Sequence, residues 1–333
     1  MNNKIGIIGS GSWATALANV LADNNFSPFL YTRKEEVFNE INNNHTNSKY
    51  FNDLKLNKNV IATLDKSIFK ETDYILICIP SKNIDDLISY IPYFKTDVLF
   101  INATKGFDSN TGLGIYQKEI DIFKKANLKI KGLVSLLGPS FASEVMEKQY
   151  TCITSTSKNE KNNKIVQKMF SNNYFRVYTN RDIVGCETSA GMKNIIALAT
   201  GISKGLGLKT NSLAALITRG LNEIKKYGLK NKAKEKTFFS LACIGDLFLT
   251  CSSDESRNYQ AGYMIGKNDS AKEFLKNNKM TVEGIEACKI IYKKSKEMNI
   301  SLPITEGIYK IIFEDYKPSE ILKSLMSRNL KSE

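Results

Sequence analysis

The sequence predicts an α/β protein in which an N-terminal Rossmann-type, doubly wound sheet is joined to an all-helical C-terminal domain. Three observations predict it. The first part of the chain alternates short apolar runs with amphipathic stretches, the pattern of a mostly parallel sheet wrapped by helices. The opening run passes directly into a glycine-rich turn and a helix-forming segment. From about Cys186 onward, apolar residues recur at helical spacing with few convincing strands.

Taken in order, the expected strands are Lys4 to Ile8, Pro28 to Thr32, Tyr74 to Ile79, Val98 to Asn102 and Leu133 to Leu137. Several end in loop-forming or polar residues (Gly9-Ser-Gly, Pro80-Ser, Thr104-Lys-Gly, Gly138-Pro-Ser) at the edge where open α/β sheets bind ligands. The polar stretch Ser157 to Lys164 reads as a surface turn. Helices are expected over Glu187 to Lys204, Ser212 to Tyr227 and Ala287 to Glu297. With no long linker, the expected division is residues 1–184 and 185–333, packed closely around a shared cleft.

Length and composition agree with this plan. A chain of 333 residues with 42% hydrophobic and 24% charged side chains can bury two cores beneath a polar surface. The net charge of +13 would suit nucleic acid, an anionic membrane or acidic substrates. Its lysines are spread along the chain, however, and runs such as Lys230, Lys232, Lys234 and Lys236 alternate with Asn, Ala and Glu, so a solvated face explains most of the excess. The cysteines (Cys78, Cys152, Cys186, Cys243, Cys251, Cys288) show neither a CxxC pair nor metal-ligand spacing and read as reduced apolar residues; no metal is expected. No leader pattern and no apolar run of membrane-spanning length is found, which predicts a cytoplasmic protein without an integral membrane segment.

The cofactor signal is the stretch Gly9-Ser10-Gly11-Ser12-Trp13-Ala14, a GxGxxA pattern between a strand and a helix. Gly9 permits the tight turn, Gly11 lets the backbone approach a diphosphate, and Ala14 is small enough for helix-strand packing, while the helix N-terminus offers unpaired amides. The second strand would end in an acidic residue if it bound the adenosine ribose of NAD, yet it ends Tyr31-Thr32-Arg33-Lys34. A cation there favours the 2′-phosphate of NADP. NADPH or tolerance of both cofactors is therefore expected.

Hydride transfer to a carbonyl needs a proton donor, for which histidine is the usual choice. The lone histidine, His45, lies in a polar loop and reads as solvent-exposed. A buried lysine is the natural substitute. Lys105, just after the strand Leu99-Phe-Ile-Asn, and Lys193, early in the first long helix within Ser189-Ala-Gly-Met-Lys-Asn-Ile-Ile-Ala, stand out for their apolar or glycine-rich surroundings. Asp246 sits among apolar neighbours in Ile244-Gly245-Asp246-Leu247. After the polar turn Ser252-Ser-Asp-Glu, Ser256-Arg257-Asn258 place a hydroxyl, a guanidinium and an amide at a helix start, a plausible phosphate cradle. Each of these residues also has an ordinary role in capping or ion pairing.

These segments together resemble the bacterial NAD(P)-dependent sn-glycerol-3-phosphate dehydrogenases, over nearly the whole chain. GSGSWATALA at residue 9, ATKG at 103, GPSFASE at 138, MKNIIALATG at 192, IGDLFLTC at 244, SRN at 256, VEG at 282 and LPI at 302 occur in the family's order. The resemblance implies interconversion of dihydroxyacetone phosphate and sn-glycerol 3-phosphate, feeding glycerophospholipid synthesis, with NADPH or NADH as cofactor. It further implies that Ser12, Trp13 and Arg33 contact the cofactor, joined by Lys105, Ala142, Arg257, Val282 and Glu283. Lys105, Gly138, Ser140, Asp246, Ser256, Arg257 and Asn258 would hold the substrate, with Lys193 as proton donor and acceptor. Ala14 departs from the family's common glycine, and Gly191-Met192 from its Ala-Leu; both keep the site small or apolar. The expected partner is a small phosphorylated substrate, with no nucleic acid and with room for a homodimer. A β-hydroxyacid dehydrogenase would share the fold and a helical lysine but bind a carboxylate, which the SRN segment disfavours. A redox-sensing DNA-binding protein would need a winged or helix-turn-helix segment, and none can be placed.

Overall fold

The computed structural model of the chain describes residues 3–278 and 281–330. Two compact units emerge. One comprises the chain up to Lys105 together with Ile115–Ile183, and the other Gly106–Gly114 together with the chain from Val184 onward. The division is therefore not a single cut: a nine-residue excursion after the fifth strand belongs with the helical unit.

The first unit holds an eight-stranded sheet of β1 (Lys4–Ile8), β2 (Ser27–Tyr31), β3 (Ile61–Thr63), β4 (Tyr74–Ile77), β5 (Val98–Asn102), β6 (Ile130–Leu137), β7 (Thr151–Thr156) and β8 (Phe175–Asn180). Their order is β3-β2-β1-β4-β5-β6-β7-β8, and every neighbouring pair is parallel except β6 and β7. Because successive side chains on a strand point to opposite faces, the apolar strands feed two cores. Ile5, Ile7, Leu30, Leu76, Leu99, Ile101, Val134 and Leu136 join the core that includes Leu17 and Leu21 of the helix Ser12–Asp23. Ile8, Tyr31, Ile75, Ile77, Val98, Phe100 and Leu133 join a second core with Phe69, Leu87 and Phe123. Burial on both faces is what near-continuous apolar strands require.

The expected strands are present with ends shifted by a few residues. β3, β7 and β8 were not expected from the sequence. β3 has three residues, β7 reads as polar (Thr-Cys-Ile-Thr-Ser-Thr), and β8 alternates buried and exposed positions at first. The expected surface turn at Ser157 to Lys164 is a helix start instead. Asn159 caps the helix Glu160–Phe170 by accepting from the Lys161 amide, and Asn163 is buried because its Nδ2 donates to the carbonyls of Ser157 (3.1 Å) and Asn180 (2.8 Å). Polar side chains were buried by hydrogen bonding rather than left in water.

The second unit is built of helices; among its described residues the one extended contact is a bridge between Phe107 and Gly114. Its core gathers Ile195, Ile196, Leu198, Ile224, Tyr227, Phe238, Leu247, Ile265, Ile291 and Ile308. The long helix Ile183–Gly205 begins earlier than expected because Ile183 and Cys186 extend its buried face, which leaves Lys193 near its middle rather than early. Glycines set the close approaches along it: a Cβ at Gly201 would lie 2.1 Å from the Tyr259 carbonyl oxygen, and one at Gly262 2.2 Å from that of Leu198. Among the described residues no helix is long and apolar enough to cross a membrane, and no group of three or more His, Cys, Asp or Glu is placed to hold a metal ion.

Candidate active site

The glycine turn follows β1. Gly9 has φ +120°, and a Cβ there would lie 2.3 Å from the Cys78 carbonyl oxygen, so both conformation and packing demand glycine. Gly11 precedes the helix Ser12–Asp23 in an extended conformation, and a Cβ on it would meet nothing within 4 Å. The first intrahelical bond runs from the Thr15 amide to the Gly11 carbonyl at 3.0 Å. Ser12, Trp13 and Ala14 therefore present the amides that an N-terminus leaves over, with no capping side chain and no acidic residue in the first turn. An open backbone at a positive helix end fits a diphosphate. The Trp13 indole Nε1 is buried without a partner among the described residues.

The turn is braced from beneath. The Ser10 hydroxyl donates to Thr32 Oγ1 (3.0 Å), and the buried Asn47 amide donates to the Ser10 carbonyl (3.3 Å) and to Thr15 Oγ1 (3.0 Å). Sequence reasoning missed Asn47, whose only signal is its place in an Asn-rich loop. His45, expected to be exposed, is half-buried: it closes a helical turn at φ 52°, and its Nδ1 is buried. Beyond β2, Arg33 is exposed and, among the described residues, pairs with no acid.

Lys105, Gly138 and Ser140 come together at the ends of β5 and β6. Lys105 Nζ donates to the Gly138 carbonyl at 3.4 Å and the Ser140 hydroxyl donates to the same oxygen at 3.1 Å. Gly138 has φ +143°, with a would-be Cβ 3.0 Å from Ile153 Cα. The turn that presents Lys105 is shaped by Asn102, which accepts from the Thr104 amide (2.7 Å), and by the Thr104 hydroxyl, which donates to the Ile79 carbonyl (2.9 Å). Ala142 opens the short helix Ala142–Met146 that follows.

In the helical unit, Lys193 is 6% exposed and its ammonium lies 2.5 Å from Asp246 Oδ1 and 2.8 Å from Thr250 Oγ1. Thr250 in turn donates to the Asp246 carbonyl at 2.6 Å. Asp246 is 1% exposed and opens the helix Asp246–Ser252 directly after a π-helical turn at Leu241–Gly245, a local irregularity of the kind often found at functional sites. A buried lysine without a carboxylate would be heavily penalised, so the pair fixes both charges in place. The neighbouring thiols are inert: burial pushes Cys243 and Cys251 up to about 12. Thr250 was not foreseen; its spacing of four from Asp246 on one helix was the available signal. Lys193's own helix is held from the other side by Phe107, whose ring would lie 2.3 Å from a Cβ at Gly191.

The Ser256-Arg257-Asn258 cradle is only partly as expected. The Ser256 oxygen caps the helix Arg257–Lys267, accepting from the Tyr259 amide at 3.3 Å, and buried Asn258 accepts from the Gly284 amide at 2.8 Å. Both are occupied in holding helices. Arg257, exposed at the first helical position, pairs with none of the described residues. Val282 is buried just before the helix Glu283–Glu297, and Glu283 accepts from Asn194, the residue after Lys193, at 3.3 Å. Asn194 and Gly284 thus link the lysine's helix to the expected cofactor residues, and sequence reasoning had named neither.

A strand-turn-helix anion site and a buried Lys-Asp pair define a dehydrogenase only when they occur in a known arrangement. Residues 4–163 match the profile of the NAD-dependent glycerol-3-phosphate dehydrogenase N-terminus, and residues 182–323 that of its C-terminus. The chain belongs to the NAD-dependent glycerol-3-phosphate dehydrogenase family. It is 40% identical to the glycerol-3-phosphate dehydrogenase [NAD(P)+] of Staphylococcus saprophyticus over 334 residues, covering 99% of this chain and 100% of the relative. Among solved structures, the glycerol-3-phosphate dehydrogenase of Coxiella burnetii superposes with a TM-score of 0.89 at 30% identity, covering 98% of this chain and 99% of that one. The Plasmodium falciparum enzyme gives a TM-score of 0.87 at 26% identity, covering 99% and 96%.

Proposed function

We propose that this family member reduces dihydroxyacetone phosphate to sn-glycerol 3-phosphate with NADPH or NADH, reversibly, and so feeds glycerophospholipid synthesis. The observation that carries the proposal is the buried ion pair of Lys193 and Asp246 at 2.5 Å, a proton donor held in fixed geometry. When bound, the reduced nicotinamide supplies the hydride. Gly9, Gly11, Ser12 and Trp13 hold the diphosphate on backbone amides, and Arg33 receives the adenosine end, where its charge favours a 2′-phosphate. Ala142, Val282 and Glu283 complete the cofactor contacts with Lys105 and Arg257.

As hydride reaches the ketone carbon, Lys193 passes a proton to the developing alkoxide oxygen and is reprotonated from solvent. Asp246 and Thr250 keep its ammonium aimed through that transfer. Lys105, with Gly138 and Ser140, binds and polarises the substrate. Arg257, helped by Ser256 and Asn258 at the helix start, grips the phosphate and uses that remote binding energy to orient the carbonyl. In the reverse direction neutral Lys193 removes the proton of the alcohol.

A cytoplasmic location, a homodimeric state and the absence of a nucleic-acid partner belong to the same proposal; light scattering on the purified chain and a salt-dependent DNA shift assay check the last two. The reaction itself is tested by initial rates with dihydroxyacetone phosphate against NADPH and NADH. Oxidation of both, with NADPH favoured, is expected. Oxidation of neither would overturn the assignment.

A further inference from the structure

We propose that Lys66 is a second specificity-determining cation of the cofactor site, acting with Arg33 to receive the 2′-phosphate of NADPH. The inference rests on the cofactor reading above and adds a residue to it. It begins from sheet register. β3 pairs with β2 so that Thr63 lies beside Tyr31, and the Thr32 amide donates to the Thr63 carbonyl at 3.0 Å. The two chains therefore leave the sheet side by side at its C-terminal edge, where open α/β sheets take their ligands. Arg33 follows the first strand closely and Lys66 the second.

Both cations address the same pair of rings. Lys66 Nζ stands 4.3 Å from the Tyr90 ring centroid, 6.0 Å from that of Tyr31 and 5.9 Å from that of Tyr93. It also donates to Ser89 Oγ at 3.2 Å. The Arg33 charge acts on the Tyr31 and Tyr90 hydroxyls, opposing the upward push that burial gives them. Tyr31 and Tyr90 are themselves locked edge to face, with centroids 5.6 Å apart. A lysine on a surface turn normally spreads into water; here aromatic faces and a hydroxyl hold the ammonium of a half-buried lysine over the same tyrosines that feel the Arg33 charge.

Two carboxylates near these strand ends are engaged elsewhere. Asp65 accepts from the amide (2.8 Å) and the hydroxyl of Ser67, and so is spent on its own turn. Glu36 pairs with Lys34 at 3.3 Å. Two cations leaving neighbouring strands at one sheet edge match a phosphate monoester carrying close to two negative charges. A ribose hydroxyl would gain little from the second cation, so Lys66 sharpens discrimination rather than general affinity.

The test measures the ratio of kcat/KM for NADPH to that for NADH, and the ratio of inhibition constants for adenosine 2′,5′-bisphosphate and adenosine 5′-monophosphate, in wild type, Lys66→Gln, Lys66→Arg and Arg33→Ala. Wild type should favour the 2′-phosphorylated member of each pair. Lys66→Gln should reduce both ratios by about tenfold, the loss expected for one charge-assisted contact, and Lys66→Arg should retain most of the preference. Ratios unchanged in Lys66→Gln but lost in Arg33→Ala would reject Lys66 and leave the cofactor reading standing. A wild type without preference would overturn both. A fall in the NADPH and NADH parameters by the same factor would show a merely structural lysine and contradict the inference.

Discussion

The glycine turn and the Lys193 cluster solve opposite problems. The turn is suited to a ligand by what it lacks: no side chain at Gly9 or Gly11, no cap and no acid in the first helical turn, so that backbone amides are left over. The Lys193 cluster is defined by what it assembles, since its carboxylate lies 53 residues away in sequence and its threonine 57. The first is local and tolerant of its surroundings. The second exists only in the folded unit, and its charges are expensive to bury singly. Substitutions in the two regions should therefore fail differently.

The largest effect is expected in the assembled region. Asp246→Asn leaves the Lys193 ammonium buried without its anion, so kcat should fall about 10²-fold or more and stability by about 3–5 kcal/mol; turnover and melting like wild type would show that the pair is dispensable. In the turn, the two glycines should separate fold from ligand. Gly9→Ala forces a side chain into φ +120° against the Cys78 carbonyl and should cost about 1–3 kcal/mol of stability. Gly11→Ala has room in the protein, so the melting temperature should hold while cofactor KM rises several-fold; a matching loss of stability in both variants would erase the distinction.

Arg257→Ala removes an exposed charge with no partner among the described residues. Substrate KM should rise about tenfold with little change in melting temperature, and an unchanged KM would remove Arg257 from the phosphate site. The smallest effects concern the thiols around the ion pair. Burial raises Cys243 and Cys251 to about 12 in the folded chain, from an ordinary value near 9. Each neutral thiol favours the fold below the unfolded pKa, and that contribution is lost as pH climbs from about 9 toward 12, because only the unfolded chain then releases its proton freely. Both should resist alkylation at pH 8 in the native protein and react in denaturant; rapid native labelling would contradict the buried setting.

The same contrast explains what the sequence made legible. Strands buried on both faces appear as continuous apolar runs, so β1, β4 and β5 could be read directly, and the glycine turn carries its meaning within six residues. β7 could not be read, because Thr154, Ser155 and Thr156 are buried polar residues on a strand that turns antiparallel to β6. The Gly106–Gly114 excursion was hidden because its anchor, the Tyr227 hydroxyl donating to the Gly112 carbonyl at 2.8 Å, lies far along the chain. Lys193 and Asp246 could be nominated separately from their apolar surroundings. Their pairing, Thr250's part in it and Asn194's link to Glu283 needed the helices to be packed. Ser256 and Asn258 show the converse: residue types that suit a phosphate also suit a helix cap and a helix-to-helix clamp, and it is the cap and the clamp that the packed helices display.

The central claim is that Lys193 moves the proton that accompanies hydride transfer. The most direct measurement is single-turnover reduction of dihydroxyacetone phosphate by Lys193→Met, with cofactor binding followed separately by NADPH fluorescence. The account predicts retained cofactor binding and a chemical step slowed by about 10²–10⁴-fold. A variant that binds NADPH and reduces substrate at the wild-type rate would contradict it.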